Sequence, residues 1–244
     1  MISPYQIHKV TMTPEKRSSE KNSYFDYYIV RPLSYFLTIP FLYTKISPNQ
    51  VSVLSILPVI FGFLFFCFSD CKFGLLIGFF FFFLWDLLDA VDGNIARYKK
   101  QYTRLGSVYD AMSGYLAMYF AFFSVGIASS NNIGFLDYFN IIPKDSYTVI
   151  GAMSGLFSIF PRLVMHKTMS SLGTSCDVNF VNDKSNYGLI RVFLLNLISV
   201  SGFVQVLMLV AIIFDTMDVF SLFYFFLNFV VMLISICNIM KKNS

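Results

Sequence analysis

The chain has 244 residues, of which 56% are hydrophobic, 19% are aromatic and only 13% are charged, with a net charge of +4. Since a soluble domain carries roughly 25% charged residues, this composition excludes a disordered protein, a coiled coil and an ordinary soluble enzyme. It indicates a multi-pass membrane protein, and in such a protein the positive charge reports topology and not nucleic-acid binding.

The first 46 residues precede the long apolar windows. Residues 1–23 are polar with mixed charge and have no apolar core or cleavage site, so we expect a cytoplasmic tail and no signal peptide. Residues 24–46 are aromatic and apolar but are interrupted by Asp26, Arg31 and two prolines. This pattern predicts an amphipathic helix that lies in the membrane interface, where Tyr and Arg side chains are stable.

Six apolar windows follow, each close to the ~20 residues that a helix needs to cross the hydrocarbon core. They predict an all-α membrane protein with six transmembrane helices in one domain, residues 47–240, followed by a short cytoplasmic tail, residues 241–244. Sixteen of the 18 Lys and Arg residues lie on one side of these spans, which places both termini in the cytoplasm. The windows are 49–69, 73–97, 105–129, 147–168, 188–214 and 217–239.

Four acidic side chains fall at the depth of the predicted spans, namely Asp86, Asp89, Asp92 and Asp110. One such residue at mid-membrane costs roughly 2.5–3.5 kcal/mol, and four together repel one another. Snorkelling to the interface, with pairing to the basic loop that follows, explains Asp92 but not the deeper Asp86 and Asp110. The cluster therefore needs bound cations or a water-filled cavity.

The spacing of these acids predicts that they converge. Asp86, Asp89 and Asp92 step by three along one helix, and Asp110 lies on the next, antiparallel helix beyond the cytoplasmic loop 98–104. Oxygen ligands without His or Cys favour Mg²⁺, Mn²⁺ or Ca²⁺ over zinc. Two such cations on shared carboxylates suit phosphoryl transfer, so the sequence predicts a two-metal site near the cytoplasmic face.

Small and basic residues accompany the acids. Gly93 and Ala96 leave room for a ligand at the helix backbone, Arg97 can pair with a phosphate, and Gly106 is a second small position. Each glycine alone is also explained by helix packing, but the combination with three acids at fixed spacing is more specific. A separate G-x-x-x-G at 151–155 predicts close helix packing, within one protomer or between two.

Residues 89–110 read D-A-V-D-G-N-I-A-R, eight further residues, and then G-S-V-Y-D. This resembles the signature of the CDP-alcohol phosphotransferase family (CDP-alcohol phosphatidyltransferases), D-x2-D-G-x2-A-R-x8-G-x3-D-x3-D. The resemblance extends to six spans, to an amphipathic N-terminal helix and to the S-P-N-Q-V sequence at residues 47–51, and it weakens after about residue 115.

The resemblance implies an enzyme that transfers a phospho-alcohol group from a CDP-linked donor to an acceptor alcohol and releases CMP. The pathway would be phospholipid biosynthesis or a related lipid or polyol-phosphate pathway, with membrane lipids among the partners and a homodimer as the assembly. The same resemblance makes Asp89, Asp92 and Asp110 ligands of Mg²⁺ or Mn²⁺, with Asp110 also catalytic. It also assigns five residues to the CDP site, namely Asn49, Gly93, Ala96, Arg97 and Gly106.

One position departs from the signature. The last Asp of the signature corresponds to position 114, where this chain has Gly114. In the family that Asp is a metal ligand and the proposed base for the attacking hydroxyl. Asp86, one turn deeper than Asp89, is our candidate substitute on the facing helix, with Gly114 leaving space for its carboxylate. Alternatively, a water or the acceptor's own phosphate takes the proton.

Two other functions compete with transfer. The protein could be a catalytically impaired family member that acts as a nucleotide-binding, lipid-binding or partner subunit, and Gly114 is the main support for this alternative. It could also be a divalent-cation transporter. A transporter predicts acids spread through the membrane, whereas the acids outside the cluster fall before the first window, in the predicted loops or, for Asp218, at the very start of a window.

Basic residues also flank the predicted cytoplasmic loop 169–187, namely Arg162, Lys167 and Arg191. Arg162 stands in apolar sequence, and an Arg near the membrane core needs an anion. These residues either snorkel as ordinary positive-inside charges or bind the phosphate of an acceptor or an anionic lipid head. No motif assigns them a role, so the second alternative depends on charge placement alone.

Overall fold

The computed structural model describes residues 2–103, 105–132, 134–139, 142–172 and 189–243. Every regular element in these ranges is helical, as the all-α prediction requires. A π-helical turn, Asp26–Val30, leads into α3, a 3-10 turn, Leu136–Phe139, follows α7, and a second π-helical turn, Val200–Val204, joins α9 to α10. The helices are α1 (Pro4–Thr11), α2 (Pro14–Glu20), α3 (Arg31–Leu42), α4 (Pro48–Leu54), α5 (Ile56–Phe68), α6 (Lys72–Lys99), α7 (Gly106–Asn131), α8 (Lys144–Leu172), α9 (Leu189–Ile198), α10 (Gln205–Ile213) and α11 (Met217–Asn243).

Five helical segments are long and apolar enough to cross a membrane, in agreement with a multi-pass membrane protein. They coincide with five of the six predicted windows. The window predicted at 188–214 is instead a pair of helical segments bent by 67°, and it adds a sixth span only if the pair is counted as one. The five segments are Pro48–Phe68, Lys72–Lys99, Gly106–Asn131, Lys144–Lys167 and Met217–Ile239.

The bend in that window lies between Ile198 and Val200, where Ser199 is extended, and Gly202 just after it has a φ of −128° and a ψ of −132°, which are not helical. The glycine sits close against the preceding helix, since a Cβ built on it would lie 2.7 Å from the carbonyl oxygen of Asn196. Hydropathy carried no sign of this break, because the window is apolar on both sides of it.

The polar segment at residues 1–23 is folded. α1 begins with a capping box in which the Ser3 hydroxyl accepts from the Gln6 N–H and the Gln6 side chain accepts from the Ser3 N–H. α2 begins at Thr13, whose side chain accepts from the Lys16 N–H. α1 packs on α3 with Ile7 fully buried, so these residues belong to the fold.

A long-range contact fixes the end of this N-terminal segment. The Asn196 side chain donates to the carbonyl oxygen of Asn22 at 2.5 Å and accepts from the N–H of Tyr24 at 3.1 Å. The aromatic segment that follows is helical from Asp26 to Leu42. Its predicted place in the membrane interface remains a prediction.

Contacts divide the chain into two compact units, and α6 and α7 contribute residues to both. The first unit comprises Met1–Gly62, Phe80–Ala117 and Asn182–Gln205. The second comprises Phe63–Phe79, Met118–Val181 and Val206–Ser244.

The core of the first unit fixes α3 and α4 against α6. Val51 of α4 packs with one face of α6, and the Asn94 amide donates to Ser34 at 3.0 Å and to Thr38 at 3.2 Å on α3. Since both hydroxyls and the amide are buried, this polar contact holds α3 in one register. The α6 residues of the cluster are Leu88, Val91 and Ile95.

In the second unit, glycines let α7 and α8 approach closely. A Cβ on Gly126 would lie 2.5 Å from the carbonyl oxygen of Tyr147, and one on Gly155 would lie 2.9 Å from that of Tyr119. Gly151 is equally tight, with Gly126 Cα 2.7 Å from a Cβ built there. The predicted G-x-x-x-G packing is therefore formed within one chain.

We expect Gly126→Ala to destabilise the protein by about 1–3 kcal/mol, because the added methyl meets backbone atoms that cannot rotate away. The measurement is the melting temperature of the purified protein in detergent. Gly114→Ala, on the same helix, is the control, since a Cβ there meets nothing within 4 Å. Equal melting temperatures for the two variants would contradict the close-packing explanation.

Candidate active site

Three carboxylates come together in the first unit, from α6 and α7. Asp89 and Asp92 lie near the end of α6, and Asp110 lies just over one turn into α7. Each offers an oxygen within 4.8 Å of the other two. This is the convergence that the spacing of the acids predicted.

The turn after α6 brings Asp110 back to this position. Lys100 adopts a left-handed conformation with φ of 53°, and the Gln101 N–H donates to the carbonyl oxygen of Ala96 at 2.9 Å, which closes the helix. The chain then enters α7 at Gly106. Arg104 of this loop lies outside the described residues.

A hydroxyl from α4 holds one of the carboxylates. Asp92 is buried and accepts a hydrogen bond from Ser52. Ser52 is positioned because α4 begins at a capping box between Ser47 and Gln50, with Pro48 in the first turn. Such a supporting hydrogen bond fixes the direction of a ligand oxygen, and sequence analysis had not singled out Ser52.

A first cavity of about 280 Å³ borders the three carboxylates. Asp86 also lines it, so all four acids of the predicted cluster meet at one space. The other polar and small lining residues are Lys16, Asp26, Arg31, Gly93, Arg97 and Ser201.

A second cavity of about 300 Å³ shares Asp92 and Asp110 with the first. It is lined by Asn49, Ala96 and Gly106, three of the five residues that the resemblance assigned to the CDP site. The Asn49 amide donates to Thr103 at 2.9 Å. The remaining two of the five, Gly93 and Arg97, line the first cavity, so the carboxylates border two separate spaces.

Asp86 is only 2% exposed and has an incomplete set of hydrogen bonds. Ser201, in the turn before α10, hydrogen-bonds its carboxylate, while Oδ2 is buried without a partner among the described residues. Position 114 has open space, since a Cβ on Gly114 would meet nothing within 4 Å. That Asp86 substitutes for a carboxylate at 114 remains a prediction.

Gly93 makes room for the guanidinium of Arg97. A Cβ on Gly93 would lie 2.9 Å from Arg97 Nη2, so a larger residue would push the guanidinium aside. Nη2 donates to the Asn94 side chain at 3.4 Å, and Nε is buried without a partner among the described residues. Arg97 therefore retains donor capacity beside the carboxylates.

Two cations from the N-terminal segment reach the first cavity. Glu20 accepts from Arg31 at 2.6 Å and pairs with Lys16 at 3.2 Å. Burial and the neighbouring cations Arg31 and Arg97 lower the pKa of Lys16 to about 8, and Glu20 opposes this only in part. Sequence analysis counted Lys16 and Arg31 only as topology signals, since no local motif marks them as site residues.

Two of the three residues predicted to bind an acceptor anion lie outside the first unit. Arg162 and Lys167 are exposed side chains of α8 and belong to the second unit. Arg191 falls in the first turn of α9, but its side chain and most of the loop 169–187 lie outside the described residues. Their role in acceptor binding remains a prediction.

Comparison with known proteins identifies the region that holds the carboxylates. The model of the family described as CDP-alcohol phosphatidyltransferase matches residues 45–236, from just before α4 into α11. The match begins after α3, so α1 to α3 precede it. No curated protein sequence matches this chain.

The carboxylate cluster suits a hard divalent cation, because its donors are oxygens alone and three carboxylates share one place, with Asp92 buried, Asp89 half-buried and Asp110 exposed. We expect the protein in detergent to bind Mn²⁺, observed by loss of the free-ion EPR signal. Ser52→Ala should weaken this binding about 10- to 100-fold by freeing Asp92, and Asp92→Asn should weaken it further.

Asp145→Asn is the control for this prediction, since Asp145 lies in the first turn of α8, in the other unit. It should bind Mn²⁺ as the wild type does. Wild-type affinity in Asp92→Asn would show that these carboxylates are not the metal site.

Proposed function

The chain belongs to the CDP-alcohol phosphatidyltransferase family, and we propose that it transfers a phospho-alcohol group from a CDP-linked donor to an acceptor alcohol, releasing CMP. The family comprises transferases of this kind. The observation that carries the proposal is the position of Asp92 and Asp110, which border both cavities. One cavity can then hold the donor nucleotide while the other holds the acceptor, with the reacting phosphorus at the carboxylates.

We assign the second cavity to the CDP group of the donor. Ala96 and Gly106 are small enough for a ligand to approach the backbones of α6 and α7, and Asn49 adds an amide that can bond a base or sugar. All three are residues that the resemblance placed at the nucleotide. Their common position on one cavity supports that role.

We infer that Asp89, Asp92 and Asp110 hold Mg²⁺ or Mn²⁺. Such a cation, when bound, neutralises the charge that develops on the diphosphate as the bond to CMP breaks. Ser52 keeps the Asp92 carboxylate in one orientation, and Arg97 offers donors to a phosphate oxygen beside it. Positioning and charge stabilisation are the main requirements of phosphoryl transfer.

The acceptor hydroxyl must lose a proton as its oxygen bonds to phosphorus. We assign proton acceptance to Asp86, because it lines the first cavity and its Oδ2 is buried without a partner among the described residues. Ser201 holds the carboxylate from the other side. Gly114 leaves this role to another group. The family signature uses neither Asp26 nor Asp86 of this cavity, and Asp86 is the one that lies on α6 with the signature carboxylates.

We also infer that both termini are cytoplasmic and that the site opens towards the cytoplasm. The asymmetric distribution of Lys and Arg supports this orientation. Counting the bent pair as one span gives six spans, and an even number places both ends on the same side. A homodimer and a phospholipid or polyol-phosphate pathway follow from the family resemblance alone.

The decisive experiment measures CMP release by the purified protein in detergent with Mg²⁺ or Mn²⁺, against a panel of CDP-alcohols and mixed lipid and polyol acceptors. We expect release that needs the metal and that falls at least about a hundredfold in Asp89→Asn. Absence of release, with metal-dependent CMP binding retained, would favour the alternative that Gly114 supports. In that case the protein is an impaired family member acting as a nucleotide-binding, lipid-binding or partner subunit.

Asp86→Asn should lower turnover about 10²- to 10⁴-fold while CMP binding is retained, since it removes the proton acceptor and not a nucleotide contact. The double variant Asp86→Asn/Gly114→Asp should recover part of the activity. Position 114 lies one turn beyond Asp110 on α7, in open space. Full activity in Asp86→Asn would show that a water or the acceptor's phosphate takes the proton.

A further inference from the structure

The loop that joins α7 to α8 differs in composition from a loop that runs through water. Of the ten residues between Asn132 and Pro143, seven have large apolar or aromatic side chains, and Asp137 is the only charged one. Loops in water are instead rich in Ser, Thr, Asn, Asp and Gly. The loop that joins α6 to α7 offers a contrast within the same chain, since residues 99–104 read K-K-Q-Y-T-R.

The aromatic rings of the α7–α8 loop face outward. Phe135, Tyr138 and Phe139, which we call the aromatic loop, are 52%, 81% and 62% exposed. The rings of Phe135 and Phe139 pair edge to face, with their centroids 5.7 Å apart. Large rings gain free energy when they leave water, so three of them facing water together would be an unfavourable arrangement.

The polar groups of the same loop face inward. The Asp137 side chain is only 10% exposed, accepts from the Gly134 N–H at 2.9 Å and pairs with Lys144 at 3.2 Å. Asp218, which is fully buried at the start of α11, accepts from the Leu136 N–H. The loop therefore holds its charge against the protein and its rings away from it, which is the reverse of a loop that faces water.

The length of α7 indicates what surrounds the loop. With 26 residues at ~1.5 Å per residue, α7 is about 39 Å long. The hydrocarbon core of a bilayer is about 30 Å thick, and about 40–45 Å with its headgroups included. Since α7 is apolar enough to cross this core, its last residue, Asn131, falls in the headgroup layer, and the aromatic loop follows within a few residues.

Other turns of the second unit also expose large aromatic side chains where spans begin or end. These turns are joined by polar contacts, because Lys72 pairs with Asp215 at 2.7 Å and the Asn131 side chain donates to the carbonyl oxygen of Cys67 at 3.1 Å. Rings at several span ends fit a bilayer, which surrounds every span, better than a partner protein, which covers one side. The exposed residues are Phe68 at the end of α5, Phe73 in the first turn of α6 and Phe214 just after α10.

We propose that the aromatic loop inserts into the headgroup layer of the bilayer and anchors α7 and α8 at a fixed depth. The occupant of this surface is lipid, at the boundary between headgroups and acyl chains, where aromatic side chains are favourable. The inward contacts of Asp137 and Asp218 hold the loop in the conformation that presents its rings. The proposal is independent of the transfer function.

Tryptophan fluorescence of the full chain in phosphatidylcholine nanodiscs tests this proposal. Tyr138→Trp introduces a reporter into the aromatic loop, and the wild-type spectrum, to which Trp85 alone contributes, is subtracted. Tyr102→Trp is the matched control, since Tyr102 is an equally exposed tyrosine in the polar loop between α6 and α7. Phe139→Trp is a second reporter in the aromatic loop, and it decides the matter if Tyr138→Trp does not fold.

We expect the reporter in Tyr138→Trp to emit at a shorter wavelength than the reporter in Tyr102→Trp. A lipid that carries a nitroxide next to its headgroup should quench it at least about twofold more strongly than a lipid labelled at the end of the acyl chain. Acrylamide in the water should quench it less than it quenches the control.

Two results would overturn the proposal. Quenching by acrylamide as strong as in Tyr102→Trp, with little quenching by the nitroxide lipids, would show that the loop lies in water. Protection from both kinds of quencher would show that a protein surface, such as a second copy of this chain, covers the rings.

Discussion

Carboxylates that repel one another inside an apolar bundle are the constraint around which the first unit is arranged. Asp89, Asp92 and Asp110 present oxygens within 4.8 Å of each other on two long apolar helices. Such repulsion would drive the helices apart unless other contacts held them. The cluster therefore persists only because several contacts hold each of these helices in place.

Those surroundings are buried polar contacts between helices. Asn94 joins α6 to Ser34 and Thr38 of α3. Ser113 of α7 contacts Ser55 at 2.6 Å and accepts from the Trp85 indole at 2.9 Å. Each contact ties a site-bearing helix to a neighbour through buried polar groups. They keep the acids at fixed distances, which is what a positioned reaction centre requires.

How much the sequence could predict depended on how local each feature is. The convergence of Asp89, Asp92 and Asp110 was predictable because a short loop and helical periodicity fix their relative positions. The close packing at the glycines 151 and 155 was predictable because small residues let helices approach. Lys16 and Arg31 were not predictable as residues of the cavity, since they reach it only through the packing of α1 to α3 on helices distant in sequence. The bend after Ile198 was equally hidden from hydropathy, because the window is apolar on both sides of it.

The contact of Asn196 with the backbone of Asn22 and Tyr24 has an evolutionary consequence. It attaches a segment that precedes the family match to α9. Substitutions before residue 45 can therefore alter the lining of the first cavity while the carboxylates of α6 and α7 stay unchanged. The cavity is modular in this sense, since one stretch of sequence supplies its carboxylates and another supplies Lys16 and Arg31.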